Sequence, residues 1–174
     1  MPYVLRKVAN SKWRVRPDLK WLKDGEIQAD ALKDLASSHS TVSVYKLTKQ
    51  ISRRRIVAGL ASTNDRVTKI EYVLLELDFL YANGFQVKST PEYGSTKDSG
   101  VNGIHYDIVN MTPQKLYDLA QYIARCVRKN RLLYRKDYVA RFLEISIESE
   151  FICRKNLKPG LQEDLEKYRL KSLK

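Results

Sequence analysis

The sequence predicts an α/β domain, with α+β as the alternative, built on a mixed sheet of about five strands with helices packed on it. Three observations lead there. Residues 40–77 read strand, helix, strand with short connections. Thr112-Pro113 opens a segment whose apolar residues recur at helical spacing. The length, 174 residues, suits one domain that buries roughly two-thirds of its unfolded surface.

Taken in order, "YVLRKV" (3–8) and "KWRVR" (12–16) flank "ANS" and predict a basic N-terminal hairpin over 3–16. Pro17 then ends regular pairing. "ADALKDLA" (29–36) places Leu32, Leu35 and Ala36 on one side of a short helix. "STVSVYKL" (40–47) alternates and is rich in β-branched residues, which predicts a strand. Ser52 supplies an N-cap for a helix over 52–62 with Ile56, Val57 and Leu60 as its apolar stripe. "KIEYVLLEL" (69–77) is a second strand, expected to lie parallel to the first.

"DFLYANG" (78–84) predicts one or two helical turns closed by Asn83-Gly84. The Gly/Ser/Thr/Pro-rich stretch 89–103 predicts a long loop, and "IHYDIVNM" (104–111) a further strand. After Thr112, the spacing of Leu116, Leu119, Ala120, Ile123, Ala124 and Val127 predicts a helix to Asn130. Residues 137–152 carry both patterns, but the segment is too long for an ordinary strand and is read as a helix. "LKPG" (157–160) interrupts, and 161–172 reads as a terminal helix with acids early and bases late.

Composition bounds the function. Thirty-two Lys+Arg against 20 Asp+Glu leave a formal charge of +12, above the range of about 2 to 8 ordinary for a small domain. The charge comes in blocks, with 1–23, 46–69 and 113–136 each carrying seven bases and one acid. Such blocks suit a polyanionic partner, RNA or DNA. The apolar runs are far shorter than the roughly 20 residues a membrane span needs, and "MPYVLRKVAN" has no apolar core of a signal peptide. No membrane partner is expected. Two unclustered cysteines, Cys126 and Cys153, fit reduced thiols in a cytoplasmic setting.

Two basic clusters are the candidate nucleic-acid contacts. Ser52, Arg53, Arg54 and Arg55 open a helix, where free amides and a guanidinium fork together suit phosphate. The bland reading is that the arginines splay into water or pair with acids. Arg125, Arg128, Lys129, Arg131, Arg135 and Lys136 form the second cluster. Arg125, Arg128 and Lys129 are expected to share a polar helix face, with Tyr134 interleaved for stacking. Here the alternative is a solvated face favoured by the helix dipole. The hairpin and the residues after it add Arg6, Lys7, Lys12, Arg14, Arg16, Lys20 and Lys23 with Trp13 and Trp21 among them, and strand alternation favours a core position for Trp13.

Enzymatic chemistry finds little support. His105 and Asp107 share one side of a strand, and with His39 they are the candidates for acid/base work in a small nuclease. Glu76 and Asp78 form a sparse acidic pair for a divalent ion. No phosphate-cradling Gly-rich loop, nucleophile elbow or zinc-protease helix occurs. The sequence reading is therefore a non-enzymatic protein that contacts nucleic-acid backbone, with no cofactor and no metal. A subunit or adaptor that sets its basic face on an acidic protein is the alternative, and a nuclease comes third.

Overall fold

The computed structural model describes residues 2–13, 26–35 and 40–172. The expected contributions of Arg14, Arg16, Lys20, Trp21, Lys23, Ala36 and His39 lie outside the described residues. The chain divides into two compact units. One comprises Met1–Lys46, Glu71–Ser89 and Tyr106–Leu132, the other Leu47–Ile70, Thr90–His105 and Leu133–Lys174.

In chain order the elements are β1 (Tyr3–Lys7), α1 (Asn10–Trp13), α2 (Ala29–Leu35), β2 (Val42–Lys46), α3 (Arg53–Ala61), β3 (Ile70–Glu76), α4 (Leu77–Ala82) and β4 (Gln86–Ser89). There follow α5 (Ser99–Asn102), β5 (His105–Val109), α6 (Pro113–Asn130), β6 (Leu132–Tyr134), α7 (Lys136–Glu148) and α8 (Pro159–Ser172). The α/β class and the C-terminal helix are as the sequence predicts. Among the described residues the sheet holds six strands in the order β4-β5-β2-β1-β3-β6.

The first unit carries the body of this sheet. β1 pairs antiparallel with β2 (Leu5 opposite Tyr45) and with β3 (Tyr3 opposite Glu76, Leu5 opposite Leu74). β2 and β3 consequently run in the same direction, as expected, but they are not neighbours, because β1 lies between them. β4 joins the edge, antiparallel to β5, with Val87 opposite Ile108. One sheet face presents Val4, Val42, Val44, Val73, Leu75 and Ile108 to a core shared with Leu35 of α2 and with Leu119, Ile123 and Val127 of α6. Each such side chain, fully buried, contributes about 1.5–3 kcal/mol. α6 starts where expected: the Thr112 hydroxyl accepts from the Lys115 amide at 3.2 Å, with Pro113 as its first residue.

The predicted N-terminal hairpin is not what forms. The chain after β1 turns into α1, with the Lys12 amide donating to the Ala9 carbonyl at 2.8 Å. That turn delivers Trp13 to the core, where its Nε1–H donates to Asp34 at 2.8 Å. An indole buried with its polar atom satisfied outweighs the strand preference of a short basic run. Arg6 on the sheet donates to the backbone carbonyls of Ser43 (2.9 Å) and Asp34 (2.8 Å).

The second unit is helical. α3 packs against α7, with α5 against α3 and α8 against α7. Ile56, Val57 and Ala61 are buried in it together with Val101, Val139, Leu143, Ile152, Leu161 and Leu165. Gly59 allows the close approach of α3 to α5, where a Cβ would lie 3.1 Å from a Val101 methyl. The 89–103 stretch is more structured than its composition suggests. It holds a 3-10 turn at Pro91–Tyr93 and α5, whose N-cap Asp98 accepts from the Val101 amide at 3.1 Å. Residues 137–152 are helical through Glu148, as read from their length.

Candidate nucleic-acid interface

In the first unit, the last turns of α6 face an open cleft of about 860 Å³. Tyr122, Arg125, Cys126 and Lys129 line it, and their spacing of three, four and seven residues places them on one helix face. Arg131 just beyond the helix and Tyr3, Glu76 and Phe79 from β1, β3 and α4 complete the lining that matters here. Tyr3 stands opposite Glu76 in the sheet register, so both project from the same side.

The aromatic wall is fixed. The Phe79 and Tyr122 rings stack with centroids 3.9 Å apart. The Tyr122 hydroxyl accepts from the Glu76 amide at 3.1 Å, and burial pushes that phenol up to about 12. Burial likewise pushes the Cys126 thiol up, against a hydrogen bond from Tyr122 that acts in the opposite direction. The thiolate is thus disfavoured, which makes this thiol a poor nucleophile. Arg125 and Lys129 are exposed and make no ion pair or hydrogen bond with a described residue. Arg131 lies 3.6 Å from Glu71, so its charge is partly answered within the fold.

The arrangement therefore offers two uncommitted cations and a partly committed one beside aromatic rings. Those groups can hold phosphate oxygens and an apolar or stacked body at once. Arg128 does not belong here. It is exposed but lines a separate narrow cavity with Trp13, Gln28 and Ala31. Arg125, Arg128 and Lys129 are all exposed, as expected of a polar helix face, but only Arg125 and Lys129 line this cleft. Arg135 and Lys136 are exposed in the second unit, and Tyr134 meets Phe142 edge-on at 4.9 Å.

The opening of α3 is built differently from the sequence expectation. Ser52 caps the helix, its hydroxyl accepting from the Arg55 amide at 3.3 Å. Arg53 and Arg54 are exposed, and the Arg54 guanidinium lies 5.8 Å from the Phe142 ring centre. Arg55 is engaged within the fold. Its Nε and Nη2 donate to the two oxygens of buried Asp98 at 2.7 and 2.9 Å, and its guanidinium lies 3.5 Å from the Phe151 ring centre. Two of its five N–H donors, and most of its charge, are thus committed to Asp98.

The nuclease candidates are placed structurally. Nδ1 of buried His105 sits 2.9 Å from the Thr90 carbonyl and 3.0 Å from the Thr90 hydroxyl. Buried Asp107 accepts from the Ser43 hydroxyl at 3.0 Å. Each is buried and engaged in closing its own part of the fold, so neither is presented to a substrate strand as acid/base work in a nuclease requires. Among the described residues no three His, Cys, Asp or Glu side chains gather as metal ligands. No described helix is long and apolar enough to cross a membrane.

Tyr3 and Phe79 were missed as site residues, and Glu76 was singled out only as half of an acidic pair with Asp78. The helical stripe 122/125/126/129 is readable from sequence, but the partners opposite it depend on strand register. The chain matches no family model, no curated protein and no solved structure.

Proposed function

We propose that the protein is a non-enzymatic binder of nucleic-acid backbone and that the α6 cleft is its contact surface. Arg125 and Lys129 hold phosphate oxygens, and Arg131 adds the nearby charge. The observation that supports this reading is their convergence with Tyr3, Phe79 and Tyr122 on one open cleft of about 860 Å³. Cations set among rings suit a strand whose phosphates are gripped while its bases rest on apolar surface. The formal charge of +12 adds long-range attraction to any polyanion.

Fluorescence anisotropy with a random single-stranded oligonucleotide across a salt series tests it. Three phosphate contacts give a log–log slope of about −2 on a single strand. The Arg125→Ala/Lys129→Ala double variant should flatten that slope by about 1.4. A wild-type slope near zero removes phosphate binding. A double variant that behaves as wild type moves the contact away from this cleft.

A further inference from the structure

The cleft contains one group that phosphate binding does not use. Glu76, half-buried at the end of β3, lines the same cavity as Arg125, Lys129 and Arg131. Its backbone amide is held by Tyr122, yet its carboxylate makes no hydrogen bond or ion pair with a described residue. An acid left unpaired in a cationic cleft repels phosphate, so it calls for a ligand that brings donors as well as negative charge. A nucleotide does both, with donors on the base and charge on the phosphate.

Resting on the reading of the cleft as a nucleic-acid site, we propose that it selects a guanine base of a single strand through Glu76. A carboxylate only accepts. Guanine is the base that presents two adjacent donors, N1–H and the N2 amino group, along one edge. Adenine and cytosine set a single amino donor beside a ring nitrogen whose lone pair repels the carboxylate. Uracil sets its one N–H between two carbonyls. The edge that Glu76 needs is occupied in a duplex by pairing, which restricts the site to unpaired strands. Phe79, fixed by its stack on Tyr122, and Tyr3, opposite Glu76 on the neighbouring strand, flank the base. Arg125 and Lys129 take the adjoining phosphates.

The test uses the full chain and labelled oligouridine strands that carry at their centre guanosine, inosine or no substitution, read by anisotropy at fixed salt. The guanosine strand should bind about tenfold tighter than plain oligouridine, with inosine, which lacks the N2 amino group, in between. Glu76→Gln should bring the three strands to within about twofold of one another. Free GMP should compete far more weakly than the guanosine strand. Equal wild-type affinity for the three strands, or an undiminished preference in Glu76→Gln, overturns guanine selection and leaves backbone binding standing. GMP that competes as well as the strand overturns the assignment to a strand in favour of a free nucleotide. Failure to bind any of the strands overturns both this inference and the reading beneath it.

Discussion

Arg55 and Asp98 meet fork to fork, at 2.7 and 2.9 Å, with the carboxylate fully buried. Asp98 also caps α5 through the Val101 amide, so one side chain links the first turn of α3 to the loop that precedes α5. The hydrogen bond to Asp98 holds the Arg55 guanidinium above its ordinary value, more than burial lowers it. Arg55→Ala leaves that carboxylate buried without its cation and should cost about 3 kcal/mol, read from urea denaturation midpoints. Arg55→Lys, which keeps charge but loses the fork, should fall between. Neither should alter the salt slope of nucleic-acid binding. A slope that flattens in Arg55→Lys would return this residue to the binding surface.

Asp164 gives a pH signature. Burial would raise its carboxyl, but the Val67 amide (3.1 Å) and the Arg66 guanidinium (3.1 Å) hold it below its usual value of 3.8. A carboxyl depressed in the folded state stabilises the fold at pH values above the unfolded value. That stability is lost as pH falls from 3.8 through the lower folded value. The stability gap between wild type and Asp164→Asn should thus be constant near neutrality and close in acid, as thermal unfolding across pH would show. A gap that widens in acid contradicts this sign.

The two thiols should react unequally. Cys153 is exposed, whereas Cys126 is partly covered and burial raises its thiol. At neutral pH a disulfide reagent such as Ellman's should titrate one cysteine rapidly and the other slowly until denaturant is added. Bound oligonucleotide should slow Cys126 further, since that residue lines the cleft. Loss of the fast phase in Cys126→Ser, rather than in Cys153→Ser, would reverse the assignment.

Trp13 tests the other aromatic candidate. It is 6% exposed and donates to Asp34. Trp13→Phe removes that donor while keeping an apolar ring, and should cost about 1 kcal/mol in chemical denaturation. Oligonucleotide affinity should be unchanged. An affinity loss without a stability loss would place Trp13 at the nucleic acid.

Much of the fold is legible in local chemistry. Thr112-Pro113 specifies the start of α6, and the 119/120/123/127 spacing specifies its buried face, because capping and helical period are properties of neighbouring residues. The same holds for Ser52 before α3 and for the β-branched alternation of β2. β4 and β6 escaped notice because strands of three or four largely exposed residues carry no periodic signal.

Charge and aromatic content suggest a polyanionic partner and name Arg125, Lys129 and Arg131 among a wider set of candidates. The tertiary structure decided which cations are available. Arg55 and Arg125 are both exposed-looking arginines in sequence, and the difference between them is a carboxylate 43 positions away in the chain. Pairing at such separation depends on how helices and strands pack, which no local pattern encodes. Glu76 likewise joins the cleft only because strand register sets it opposite Tyr3, and packing brings α6 over that end of the sheet.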